Sequence, residues 1–145
     1  MTDYSKQAAH HIQQLAGDFK PKIALVLGSG LGPLANEITN AIRIPYTDIP
    51  GFPPCTVAGH GGELILGHFN DTPIACLFGR THYYEGVNHN LPKTMTRCMK
   101  LLGCHTFIST NASGSLRENV PPGSLVLIND HINFNFNNPL VGPND

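Results

Sequence analysis

Charge is scarce in this sequence. Of 145 residues, 13% are Asp, Glu, Lys or Arg, and the nine basic and ten acidic side chains leave a net charge of -1. The basic residues are scattered, so the clustered positive surface that nucleic acid or an acidic membrane would require is missing. Long apolar runs are missing too, and no stretch approaches the length of a bilayer span. The opening MTDYSKQAAHHIQQLAG is polar with a helical period and lacks the apolar centre of a signal peptide. The four cysteines, Cys55, Cys76, Cys98 and Cys104, form no CxxC pair. Cys98, Cys104 and His105 match no structural zinc spacing, so no metal is expected. Free thiols in a reducing cytoplasm are the expectation.

What the chain does have is apolar residues, at 41%. With so little charge, that fraction favours a packed core over disorder. The length suits one domain, taken as 1–145.

Along the chain, Tyr4, Ala8, Ile12, Leu15 and Ala16 share a helical face, and Gly17 follows where a helix would stop. IALVLG (23–28) is apolar on both faces, as in a buried central strand. GSGLGPLANEI reads as a tight turn and a short helix, and the Pro- and Gly-rich stretch from Pro45 to Pro54 as loop. ELILGHF (63–69) and TPIACLFG (72–79) read as two strands joined at Asn70-Asp71. Leu91, Met95, Cys98, Met99 and Leu102 recur at helical spacing up to Gly103. HTFISTN and SLVLIND supply two further strand candidates, and the Asn- and Pro-rich ending reads as loop. Strands alternating with helices place the chain in the α/β class.

Three glycine- or serine-rich segments follow strands. Gly28-Ser29-Gly30-Leu31-Gly32 could admit an anion to backbone N–H groups at a helix start, with the Ser29 hydroxyl as a further donor. Equally, it could be a sharp turn that needs glycine. It is not the GxGxxG dinucleotide fingerprint, and Pro33 sits where that motif would enter its helix. In Gly79-Arg80-Thr81-His82-Tyr83-Tyr84-Glu85-Gly86, Arg80 offers a planar fork suited to phosphate oxygens and His82 a second donor. Glu85 is placed to fix the His82 tautomer, and Tyr84 offers a hydroxyl on an aromatic platform for a sugar. The alternative is a surface loop with an ordinary ion pair. Ser109 to Leu116 brings small residues to a strand end, which suits a ligand or simply a turn. His60 lies between glycines, and a single such His is more often a plain loop residue than a functional one.

The order of these motifs is more specific than any one of them. LGSGLG, PGFP with a following His, GRTHYYEG, NASGSL, and DHIN followed by NPLVGPND run in the order found in the trimeric purine nucleoside phosphorylases, whose amino-terminal half this chain resembles over its whole length. The resemblance implies an α/β fold with a central mixed sheet flanked by helices, here apparently truncated. It also implies phosphate-dependent cleavage of the N-glycosidic bond of purine (deoxy)nucleosides, giving free base and (deoxy)ribose 1-phosphate. Carried over position by position, Ser29, His60, Arg80, Thr81, His82 and the Ala112 N–H would hold phosphate. Glu85 would orient His82, making that pair the catalytic one, and Tyr84 would contact ribose. No cofactor is implied, since phosphate is a co-substrate. The expected partners are nucleoside, phosphate and two further copies in a homotrimer, with no nucleic acid and no membrane, in cytoplasmic purine salvage.

Two departures stand out. Ser113 occupies the second Ala of the usual Asn-Ala-Ala-Gly turn. The resemblance also covers only half of a family member, so the side chains that recognise and protonate the purine are not expected here. Alternatives are a methylthioadenosine phosphorylase, a catalytically incomplete remnant that binds phosphate or associates with itself, and a dinucleotide-binding domain. The last is disfavoured by its motif spacing.

Overall fold

The computed structural model describes residues 4–53, 61–82, 85–86, 91–134 and 141. Two compact units meet after Ala112 in the chain.

In the first unit, helix α1 (Ser5–Ala16) buries Ser5, Ala8, Ala9 and Ile12. It ends at Gly17, whose φ of 59° turns the chain while its N–H donates to the Gln13 carbonyl at 3.0 Å. Leu15, expected on the packed face, is instead 51% exposed. The buried stripe is narrower than the period suggested and is set by the small residues Ala8 and Ala9.

Strands β1 (Ile23–Leu27), β2 (Thr39–Pro45), β3 (Glu63–Phe69), β4 (Thr72–Phe78) and β5 (Thr106–Ser109) form one sheet in the order β2-β3-β4-β1-β5. Strand β1 runs parallel to both β4 and β5, while β3 is antiparallel to β4 and β2. The sheet is therefore mixed, as the resemblance implied. The β3–β4 hairpin turns at Asn70, whose φ of 50° lies in the left-handed region that Asn tolerates. Strand β2 was not foreseen. It ends at Pro45, and Tyr46–Asp48 form a short 3-10 turn inside the stretch expected to be loop.

Alternation along the strands builds two apolar clusters. Ala24, Leu64, Leu66, Ala75 and Leu77 join Ala8 and Ile12 of α1 and Cys98, Met99 and Leu102 from helix α2 (Leu91–Leu101) and the turn after it. Their odd-numbered and even-numbered neighbours Leu27, Ile65, Ile74 and Cys76 pack with Ala35 and Ile38, in and just after a six-residue 3-10 helix (Gly32–Glu37). A period of two makes each strand serve both faces, and each fully buried Leu or Ile stabilises by about 1.5–3 kcal/mol. Burial pushes the Cys76 and Cys98 thiols up to about 12 and Cys104 to about 11. All three are buried free thiols; Cys55 lies outside the described residues.

The second unit, 113–145, has no helix or strand among its described residues. Local turns hold it, with the Val120 N–H donating to the Arg117 carbonyl and the Ser124 N–H to the Pro121 carbonyl. The strand expected at SLVLIND (124–130) does not form. Strand identity needs a ladder partner, and the run has none among the described residues, leaving Leu125 98% and Leu127 94% exposed.

Candidate functional site

Register aligns the three parallel strands at their carboxyl ends. Leu27 lies opposite Phe78, and Val26 opposite Ser109. The segments that follow are 28–32, 79–82 and 110–112. In open α/β sheets this is where ligands bind, beside the strand at which the chain changes direction across the sheet. Here that strand is β1, with β4 on one side and β5 on the other.

Hydrogen bonds tie the three segments together. Arg80 Nη1 donates to the Thr110 carbonyl at 2.8 Å. The Gly28 N–H donates to the Thr110 hydroxyl at 2.8 Å, and that hydroxyl donates to the Val26 carbonyl at 2.8 Å. Gly28 is required by proximity: a Cβ there would run into the Thr110 carbonyl oxygen and lie 2.9 Å from the Asn111 Cα. Gly30 is required by conformation, with φ at 85° and open space around it. The turn is therefore sharp and needs glycine, and it also borders a small open hollow. Ser29, Gly30 and Gly79 line that hollow, and Ser29 is exposed to it.

The helix that follows contributes less than the sequence suggested. It is a short 3-10 turn with Pro33 near its start, and the Leu31 N–H is already bonded to the Gly28 carbonyl at 3.2 Å. A 3-10 segment of six residues lacks the aligned dipoles of a long α-helix. The segment therefore adds little dipole of its own to this end of the sheet.

In the second segment, Arg80, Thr81, His82 and Glu85 are half-buried. Glu85 reaches His82 through its main chain. Its Oε1 accepts from the His82 N–H at 2.5 Å, and its own N–H donates to the His82 carbonyl at 3.0 Å. This reciprocal clasp closes the turn and holds the His82 backbone, in the manner of a capping box. Ala112 is exposed two residues beyond Thr110. His60 and Tyr84 lie outside the described residues. No three His, Cys, Asp or Glu side chains among the described residues gather as a metal ion would require.

Two residues that support the site were not singled out from the sequence. Tyr46, 1% exposed, donates its hydroxyl to the Gly79 carbonyl at 2.9 Å and so pins the start of the Arg80 segment. Thr110 joins β1 and the Arg80 segment. Both act across long sequence separations, which periodicity does not report.

Known proteins agree with this architecture. Residues 22–145 match the Phosphorylase superfamily. The chain is 50% identical to Purine nucleoside phosphorylase 1 of Geobacillus stearothermophilus over 125 residues, 86% of this chain and 46% of that protein. It is 45% identical to Purine nucleoside phosphorylase 1 of Bacillus subtilis over 145 residues, 100% of this chain and 53% of the relative. The crystal structure of isoform 2 of purine nucleoside phosphorylase from Schistosoma mansoni, in complex with cytosine and ribose-1-phosphate, superposes with a TM-score of 0.87 at 42% identity. That match covers 97% of this chain and 50% of the other. The chain spans about half the length of the relatives it matches. With a superfamily match over most of its length and a mixed sheet that gathers the expected segments, this chain belongs to the phosphorylase superfamily.

Proposed function

We propose that this chain supplies the phosphate site and part of the ribose site of a purine nucleoside phosphorylase, as the amino-terminal half of a single phosphorylase domain. The observation that carries the reading is the Arg80–Thr110–Gly28 linkage at the aligned ends of three parallel strands. It fixes a guanidinium next to a glycine turn that carries Ser29. The similarity to purine nucleoside phosphorylases, one of them crystallised with ribose-1-phosphate, supports the substrate class.

In this reading Ser29, Arg80, Thr81, His82, His60 and the Ala112 N–H hold phosphate on the sugar face opposite the base, and Tyr84 meets the ribose. A phosphate oxygen attacks the anomeric carbon as the C–N bond to the purine breaks, the bonding electrons leaving with the base, which takes up a proton. The sugar passes through a cationic transition state, which the phosphate charge stabilises from the opposite face. Glu85 holds His82 in register by the backbone clasp, so the anion meets donors already in place. No step calls for a cofactor. A homotrimer in the cytoplasm, working in purine salvage, completes the reading. Among the described residues no helix is long and apolar enough to cross a membrane.

The test is incubation of the purified protein with inosine, guanosine or xanthosine, with and without inorganic phosphate, followed by separation of base and sugar products. Release of base that requires phosphate and yields ribose 1-phosphate is the expected outcome. Release indifferent to phosphate, yielding free ribose, contradicts it. Because the chain spans half the length of its relatives, a second reading is kept: a phosphate-binding unit without the chemistry. Phosphate binding by a folded sample that releases no base would select that reading.

A further inference from the structure

We infer that Thr110 is a positioning residue that sets both the Arg80 guanidinium and the glycine turn for the anion; this rests on the phosphate-site reading above. The residue makes four bonds to two other segments. Its N–H donates to the Val26 carbonyl at 3.1 Å, extending the β1–β5 ladder one residue past the end of β5. Its hydroxyl donates to the same carbonyl at 2.8 Å and accepts from the Gly28 N–H at 2.8 Å. Its carbonyl accepts from Arg80 Nη1 at 2.8 Å. Arg80 Nη1 and the Gly28 turn are thereby both tied to Thr110.

The chemistry explains the residue type. The position needs one group that donates and accepts at once, which a hydroxyl does and a valine of the same shape does not. It also needs that hydroxyl held in one direction, and the β-branched side chain of Thr restricts χ1. The glycine partner follows from the same geometry, since the space a Cβ would take at position 28 is filled by the Thr110 carbonyl oxygen that Arg80 uses. Anion recognition by a planar fork depends on its orientation, so loosening Thr110 weakens binding without removing any group that touches the anion.

The experiment is a titration of the full chain with inorganic phosphate, followed by NMR of the backbone amides and arginine side chains. The proteins compared are the unaltered chain, Thr110→Val and Thr110→Ser. Phosphate is expected to shift the Gly28, Ser29 and Arg80 signals. Thr110→Val removes both hydroxyl bonds and is expected to raise the phosphate dissociation constant roughly tenfold, and to speed exchange of the Gly28 amide. Thr110→Ser is expected to restore both to within about threefold, since it returns the hydroxyl and its two bonds but not the β-branch. Unchanged phosphate affinity in Thr110→Val, or an unchanged Gly28 exchange rate, overturns the inference. Absence of phosphate binding by the unaltered chain brings down the functional reading instead. Gly28 exchange then decides the positioning claim alone, faster in Thr110→Val if it holds and unchanged if it does not. Should Thr110→Val fail to fold, the unaltered chain decides. A protected Gly28 amide with a slowly exchanging Thr110 hydroxyl proton is expected, and rapid exchange of both overturns the claim.

Discussion

Two aliphatic runs, Ile23–Leu27 and 124–130, carry similar residues to opposite ends. The first lies between two parallel strands, with Ala24 fully buried and Leu27 2% exposed. The second has no ladder among the described residues and presents Leu125 and Leu127 almost wholly to solvent. Apolar composition supplies the driving force for burial in both runs. Among the described residues, only the first lies in a ladder with neighbouring strands, and that pairing of its backbone N–H and C=O groups converts an apolar run into a strand. The candidate site belongs to the satisfied region, where strand ends are aligned by register and the loops beyond them are cross-tied.

The sharpest way to break this comparison is to truncate one leucine in each region. Leu27→Ala, at a buried position of β1, is expected to lower stability by about 2–5 kcal/mol in urea denaturation. Leu125→Ala is expected to change it by no more than about 0.5 kcal/mol. Equal losses would mean that residues 124–130 pack as β1 does. Next in size is Gly28→Ala, which drives a methyl group against the Thr110 carbonyl and is expected to destabilise by about 1–3 kcal/mol. Gly114→Ala, where a Cβ meets nothing within 4 Å, is expected to be nearly silent by the same measurement.

The described thiols give a smaller, pH-dependent effect. Their folded pKa values, about 12 for Cys76 and Cys98 and about 11 for Cys104, lie above the usual 9.0, so the folded chain holds these protons more tightly than the unfolded one. The stabilisation from this source is complete below pH 9 and is lost as pH rises from there through 11 to 12. Equilibrium unfolding across pH 8 to 11 should show that decline. Thiol-reactive dye should modify these three side chains only as the protein unfolds, and rapid labelling of Cys76 in the folded state would contradict the packed sheet around it.

Much of this was readable from the sequence because its physics is local. The helical period named α2, the alternating runs either side of Asn70-Asp71 named the hairpin, and glycines marked where α1 and α2 stop. Strand β2 escaped notice because TNAIRIP mixes polar residues with a terminal Pro, and only pairing with β3 makes it a strand. SLVLIND is the converse, a run with strand composition that has no ladder among the described residues. Within the site, Arg80, His82 and Glu85 were visible as a charged cluster after a strand. The manner in which Glu85 grips His82, through main-chain atoms, was not. Thr110 and Tyr46 stayed hidden because their partners lie far away in sequence, and a hydroxyl at a strand end or in a proline-rich stretch carries no local signature.

Arg80, tied to Thr110 beside the turn at 28–32, is the proposed phosphate ligand. Isothermal titration of the purified chain with inorganic phosphate, repeated with Arg80→Ala, tests it most directly. Saturable binding that weakens by roughly 10- to 100-fold in Arg80→Ala, the scale of a lost charge-assisted hydrogen bond, is the predicted result. Equal binding by the two proteins, both shown to be folded, would contradict it.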